Sequence, residues 1–162
     1  MKIIDAHTHI FPPEIIARRA EIAQSEPWFA KLYGSPKAKM ANAHQLLASM
    51  AQAGISHSIT FGFPFIDPVL RRTCNTYVLQ SAAESGNKLL PFALVSPNDI
   101  NLVENMRQLA EQGAGGFGEL MPHGQGFSLE SPTVDLLIET AQVLNKPVMF
   151  HTNETLGHDY AG

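Results

Sequence analysis

The sequence predicts a parallel α/β fold, a partial (β/α)8 TIM barrel of which this chain covers about strands 1 to 5. Two observations support the prediction: five short apolar segments alternate with four amphipathic segments, and polar side chains stand at the ends of several apolar segments. Parallel neighbours need a crossover connection, and strands buried on both faces are apolar throughout. The alternation therefore favours a parallel sheet covered by helices.

The five strands are predicted from apolar or β-branched runs bounded by turn residues. They are residues 2–6, 55–61, 89–95, a glycine-rich run ending near Leu120, and 147–151. A complete barrel has eight strands and about 250 residues, whereas the sequence has 162. We therefore expect residues 1–162 to be a single domain, the N-terminal portion of a barrel that is truncated or completed by strands from another chain.

Several helix boundaries are predicted from capping residues. Asn42 is expected to begin a helix that stops at Gly54, and Ser131, followed by a proline, is expected to begin another. Asn and Ser accept hydrogen bonds from the free N–H groups of a first turn, and glycine adopts the left-handed stop conformation. By the same reasoning Asn98 or Asp99 caps the helix after the third strand.

A long polar excursion follows the first strand. We expect a helix over residues 14–24 and then a loop that carries Trp28, Phe29 and Tyr33. Long loops after a barrel strand usually shape a site. The aromatic residues therefore fit either a partly apolar pocket wall or packing within the loop itself.

The composition excludes several kinds of partner. The net charge is −4, and the only adjacent basic pairs are Arg18 with Arg19 and Arg71 with Arg72, so no basic stripe favours nucleic acid. No apolar run approaches the roughly 18 residues of a membrane span, and the N-terminus lacks the pattern of a signal peptide. Cys74 is the single cysteine, so no internal disulfide can form and we expect a cytoplasmic protein. We expect a small molecule as its substrate. It could be a homo-oligomer or pair with missing C-terminal strands.

The strongest chemical signal lies in the first strand. Asp5, His7 and His9 are spaced by two, so their side chains share one face if the strand persists that far. Two imidazoles on one face suit zinc and related divalent metals, and the end of a barrel strand is where active sites lie. Histidines satisfied by loop carbonyls are the structural alternative, but the position favours metal.

Four further residues are candidates. His151 closes the fifth apolar run and is the natural third metal ligand, while Glu119 near the end of the fourth could bridge a metal, act as a general base or bind a loop amide. His123 and His158 follow strands 4 and 5, where substrate contact and solvent exposure are equally compatible with the sequence.

The glycine-rich segment at residues 113–118 matches the G-x-G-x-x-G pattern of dinucleotide-binding proteins. That motif must leave a strand and open a helix, so that the pyrophosphate meets the helix N-terminus. Here the order is reversed, because a predicted helix ends at Gly113 and a strand begins. The segment therefore does not predict nucleotide binding.

The chain resembles the amidohydrolase superfamily, in particular amidohydrolase family 2, which includes aminocarboxymuconate-semialdehyde-decarboxylase-like enzymes. The residues that carry the resemblance are 5–12, 61–64, 118–122 and 151–160. The resemblance implies that His7, His9 and His151 bind a divalent metal, usually zinc, and that Glu119 lies where some relatives place a bridging group. It also implies a further histidine on strand 6 and an aspartate on strand 8, beyond this sequence.

Together the residues and the resemblance predict a metal-dependent hydrolase that activates water for attack on an amide, lactone or similar carbonyl. One alternative is a metal-dependent, non-oxidative decarboxylase of a small unsaturated or aromatic acid. Another is a non-catalytic partial barrel that acts as a binding or assembly module.

Overall fold

The computed structural model describes residues 2–152, and its core is one sheet of five parallel strands. The strands are β1 (Ile4–His9), β2 (His57–Phe61), β3 (Leu89–Ala93), β4 (Gly116–Leu120) and β5 (Val148–Phe150). They lie side by side in the order β1-β2-β3-β4-β5, and every neighbouring pair is parallel. The chain thus winds in one direction without the reversal of a doubly wound sheet. The predicted partial barrel is confirmed.

Helices connect and cover the strands. They are α1 (Pro13–Ala17), α2 (Arg19–Ser25), α3 (Pro27–Tyr33), α4 (Ala43–Ala53), α5 (Pro68–Glu84), α6 (Leu102–Glu111), α7 (Pro122–Gln125) and α8 (Pro132–Val143). Within residues 2–152, none of them combines the length and the apolar character that a membrane crossing requires. The extra helices α1 to α3 fill the connection after β1.

The predicted caps of two helices are confirmed. The Asn42 side chain accepts from the backbone N–H of Gln45, whose own side chain accepts from the Asn42 N–H, so α4 begins with a complete capping box. Gly54 ends the helix in the left-handed region at φ 71°. Ser131 caps α8 by accepting from the N–H of Thr133. Local chemistry alone determines these boundaries.

The excursion after β1 differs from its prediction. The single helix expected at residues 14–24 is two short helices that meet at Arg18, and the expected aromatic loop is helix α3. Ile15 of α1 and Ile22 of α2 are both buried in one cluster. Pro27 stands at the start of α3, where its missing N–H costs no helical hydrogen bond.

Asn98 and Asp99 do not cap α6, contrary to prediction. The helix begins after Asn101, whose side chain makes no capping bond. The Asp99 carboxylate instead forms an ion pair with the buried Arg71 and accepts from the N–H of Ser96. A tertiary ion pair therefore overrides the local capping preference. The short helix α7 was not predicted.

A cluster of aromatic rings fastens α1 to α3 onto the loop after β2. Phe29 lies at its centre with no exposed surface, and its ring centroid lies 5.4 Å from that of Phe63, 5.1 Å from Phe65 and 6.3 Å from Phe11. Offset and edge-to-face pairs at such distances are favourable beyond the burial of area. This cluster sets where the excursion meets the carboxyl ends of the strands.

We predict that Phe29→Ala lowers the free energy of unfolding by about 3–5 kcal/mol, because it leaves a cavity at the centre of the aromatic cluster. Urea unfolding followed by circular dichroism measures the loss. The matched control is Ile100→Ala, since Ile100 is 99% exposed, and its change should stay within about 0.5 kcal/mol. Equal effects of the two substitutions would contradict the cluster's structural role.

Candidate metal centre

The candidate site lies at the carboxyl ends of the strands. His9 is the last residue of β1, Glu119 is the penultimate residue of β4, and His151 directly follows β5. His7 stands two residues before His9 on the same strand. Barrel enzymes place their active sites at this face.

The ligand atoms of three of these residues converge. The Nε2 atoms of His7 and His9 are 3.3 Å apart, and Glu119 Oε2 lies 3.6 Å from the first and 3.4 Å from the second. A tetrahedral ion with bonds of about 2.0–2.1 Å separates its ligand atoms by about 3.3–3.4 Å. The three atoms therefore already have the spacing of ligands around one small divalent ion.

The His9 ring is oriented by the backbone after β2. Its Nδ1 lies 2.9 Å from the carbonyl oxygen of Gly62, so Nδ1–H donates and Nε2 keeps its lone pair for the centre of the cluster. A Cβ on Gly62 would lie 2.5 Å from the Cβ of Cys74 in α5. Only glycine allows this close packing of the carbonyl-bearing residue against the helix.

Glu119 is held from both sides. Its side chain is 7% exposed, and its Oε1 accepts from His151 Nδ1 at 2.9 Å while Oε2 faces His7 and His9. Burial alone would raise the pKa of Glu119, but its interactions with His9 and His151 and the nearby imidazole of His7 outweigh burial and lower it. The carboxylate is therefore ionised at neutral pH and is available as a ligand.

The position of Glu119 depends on the glycine before it. Gly118 has φ 130°, a conformation that side chains rarely adopt, and a Cβ there would lie 2.4 Å from the carbonyl oxygen of Met149 in β5. The close approach of β4 to β5 at this point brings Glu119 next to His151. This glycine belongs to the segment whose dinucleotide-binding pattern was rejected, and the segment indeed forms a strand.

His7 is the more open of the two β1 histidines, with 51% of its side chain exposed. Burial lowers its pKa, and the Glu119 carboxylate partly offsets the effect. The imidazole is thus neutral near pH 7, the form in which histidine binds metals.

A cavity of about 370 Å³ opens beside the cluster. Its walls combine the polar groups with apolar ones; the lining residues are His7, His9, Leu32, Tyr33, Phe63, Pro64, Glu119, Met121, Phe150, His151 and Thr152. Tyr33 is both part of this wall and packed against Phe11 and Phe63, so both alternatives hold for this residue, whereas Trp28 and Phe29 do not line the cavity and pack against other residues. A second cavity, about 270 Å³, lies between α5 and α6 and contains none of the clustered histidines.

The structure brings together four of the predicted site residues: His7, His9, Glu119 and His151. His151 reaches the cluster through Glu119, and its role as a direct metal ligand stays a prediction. His123 lies exposed on α7 and does not line the cavity within the described part of the chain. His158 lies outside the described residues.

One contributor was missed from the sequence, and one predicted residue has a different contact. Gly62 acts through its carbonyl oxygen, which no side-chain motif reveals, although it falls within residues 61–64 of the resemblance. Asp5, whose spacing suggested that it accompanies the histidines, instead accepts from the backbone N–H of His7 at 3.1 Å.

No protein-family model matches the sequence, and no curated protein sequence matches it significantly. Several solved structures do match the chain. The chain superposes on 5-carboxyvanillate decarboxylase from Novosphingobium aromaticivorans, complexed with manganese and 4-hydroxy-3-methoxy-5-nitrobenzoic acid, with a TM-score of 0.76 and 18% identity over 93% of this chain and 50% of that one. It superposes on an amidohydrolase II with a TM-score of 0.74 and 22% identity over 95% and 51%.

A third similar structure is the probable 2-pyrone-4,6-dicarboxylic acid hydrolase of Acinetobacter baumannii with citric acid bound. Its TM-score is 0.61 at 17% identity, over 93% of this chain and 49% of that one. The chain thus spans about half the length of each of these proteins. The likeness agrees with the resemblance found in the sequence and establishes the shared barrel fold.

We predict that Glu119→Gln lowers the pKa of His7 further, because the substitution removes the negative charge that offsets burial. An NMR titration of the histidine ring signals measures the shift. Glu130→Gln removes a charge that does not contribute to the His7 environment and should leave the titration unchanged. A His7 pKa that stays constant or rises in Glu119→Gln would contradict the described electrostatics.

Proposed function

We propose that the chain is the N-terminal half of a metal-dependent enzyme of amidohydrolase family 2, with its metal centre at His7, His9 and Glu119. The observation that carries the proposal is the convergence of three ligand atoms within 3.3–3.6 Å at the carboxyl ends of parallel strands. His151 orients the Glu119 carboxylate. The similar structures share the fold, and one of them contains manganese.

The donor set fits a divalent cation. Two imidazoles and one carboxylate are a known ligand combination for zinc, and manganese accepts the same groups with a preference for carboxylate. The hydrogen bond from His9 Nδ1 to Gly62 fixes the tautomer that metal binding requires. We propose zinc as the native ion, with manganese as the principal competitor.

The proposed reaction is the non-oxidative decarboxylation of a small aromatic or unsaturated acid. A bound divalent cation would supply the positive charge that holds the substrate's oxygens. Phe63, Pro64 and Phe150 give the cavity an apolar lining against which a planar ring could pack. The 5-carboxyvanillate decarboxylase, with its nitrobenzoic acid ligand, has a higher TM-score than the hydrolase.

The residues of this chain have separable tasks in such a reaction. Glu119 is buried and is oriented by its hydrogen bond with His151. His9 is partly buried and is oriented by its hydrogen bond to the Gly62 carbonyl. The apolar wall excludes water from the bond that breaks, which favours loss of carbon dioxide over hydrolysis. His7, half exposed at the cavity, would complete the ligand set beside His9 and Glu119. Because its Nε2 would be bound to the ion, the proton that the ring carbon gains as carbon dioxide leaves has to come from an acid other than His7.

Hydrolysis of a lactone or related carbonyl is the second candidate function. It is supported by the likeness to the 2-pyrone-4,6-dicarboxylic acid hydrolase and by the ability of a divalent cation to activate water. A non-catalytic half-barrel remains the third alternative, and metal binding separates it from the other two.

We predict that the purified chain binds one divalent ion and that His7→Ala abolishes the binding. His151→Ala should weaken it by about 10- to 100-fold, as expected for a residue that orients a ligand. Mass spectrometry of metal content and competition with a chromophoric chelator measure both effects. The matched control is His44→Ala, since His44 is an exposed histidine on α4.

The result for His151 separates two ligand sets. A loss as complete as that of His7→Ala would make His151 a direct ligand, as the resemblance implies. Metal content that is substoichiometric and insensitive to His7→Ala would favour the non-catalytic half-barrel.

We predict that the metal-loaded protein releases carbon dioxide from hydroxybenzoic acids in which the hydroxyl group stands next to the carboxylate on the ring. Coupled carbon dioxide detection measures this, beside lactone and ester cleavage followed by pH-stat titration. His7→Ala should abolish the activity and His44→Ala should preserve it. Lactone cleavage without carbon dioxide release would replace the decarboxylase proposal with the hydrolase.

A further inference from the structure

Tyr33 reaches the cavity from outside the barrel. It ends α3, and its ring packs against Phe11, Phe29 and Phe63 at centroid distances of 4.9, 5.6 and 5.7 Å. Rings on three sides leave the Tyr33 side chain little rotational freedom. Its hydroxyl group therefore has a position set by the fold before any ligand arrives.

The Tyr33 hydroxyl forms no hydrogen bond with another residue of the described part of the chain. Buried or half-buried tyrosines usually find a partner for this group. Tyr77 illustrates the usual case, because its hydroxyl oxygen accepts from the backbone N–H of Ala43 at 2.9 Å. Within residues 2–152, no side chain or backbone group therefore competes with a molecule in the cavity for the Tyr33 hydroxyl.

The surroundings of Tyr33 define what it can bind. Burial and the negative charge of Glu119 raise its pKa, so the phenol keeps its proton and can donate. Among the described residues that line the cavity there is no lysine or arginine. A neutral donor beside an apolar wall suits an oxygen acceptor on a planar, mainly apolar molecule.

We propose that Tyr33 is a specificity-determining residue that donates a hydrogen bond to an oxygen substituent on the ring of the bound acid, the substituent that does not face the metal ligands. This inference rests on the proposed function. In this proposal, the excursion after β1 distinguishes substrates by the substituents on their rings, and the residues on β1 and β4 hold the ion.

The test uses the manganese-loaded chain and four probes: benzoate and 2-, 3- and 4-hydroxybenzoate. Isothermal titration calorimetry gives the affinity of each. The wild type should bind at least one hydroxybenzoate about five- to tenfold more tightly than benzoate, the gain expected from one added hydrogen bond. Tyr33→Phe keeps the ring packing and should reduce that ratio to near one, with metal content unchanged. Tyr77→Phe, the matched removal of a hydroxyl on α5, should leave the ratio as in the wild type.

A measurement on the wild type avoids any effect of the substitution on folding. With ¹³Cζ-labelled tyrosine, the Tyr33 signal should move on addition of the preferred hydroxybenzoate and stay in place on addition of benzoate. A preference that survives Tyr33→Phe, or a loaded wild type that binds none of the probes, would overturn the inference and leave the metal centre standing. Failure of the wild type to bind manganese would instead overturn the proposed function and this inference with it.

Discussion

The site depends on the contacts that the Glu119 carboxylate makes with three histidines. One of its oxygens faces the two histidines of β1, and the other accepts from the histidine that follows β5. Strands β1 and β5 are the first and last of the described sheet, so this side chain on β4 connects elements that share no backbone hydrogen bonds. The curl of the sheet brings each of the three histidines within 3.6 Å of a Glu119 oxygen.

Such a cluster is electrostatically costly unless each group has a defined partner. A buried carboxylate loses hydration, and two facing imidazoles repel when both are protonated. Two glycine positions in the backbone provide these partners. Gly62 presents the carbonyl that accepts a hydrogen bond from His9 Nδ1, and Gly118 lets β4 approach β5 closely enough for His151 to reach Glu119. Neither position tolerates a Cβ without displacing a neighbour.

Much of this arrangement could be predicted from the sequence because its causes are local. The spacing of His7 and His9, the apolar strand before His151 and the caps at Asn42 and Ser131 all depend on residues close together in the chain. The pairing of His151 with Glu119 could not be predicted, since it depends on how the strands curl. For Glu119, the sequence left three roles open, and the geometry favours that of a metal ligand.

Predictions failed where tertiary contacts outweighed local preference. Asp99 has the chemistry of a helix cap, but the buried Arg71 recruits it into an ion pair. The helix expected at residues 14–24 is divided at Arg18, and Ile15 and Ile22, one on each part, are both buried in the same cluster. The proposed role of Tyr33 depends on packing against Phe11 and Phe63, which are distant in sequence, so the sequence could indicate only an aromatic environment.

The central claim is that β1 and β4 together hold one divalent ion. X-ray absorption spectroscopy of the zinc-loaded chain tests it most directly, because the fine structure reports the number and type of ligand atoms. The account predicts two imidazole nitrogens and at least one carboxylate oxygen at about 2.0–2.2 Å, with one imidazole lost in His9→Ala. A shell of water oxygens alone, or a spectrum that His9→Ala leaves unchanged, would contradict it.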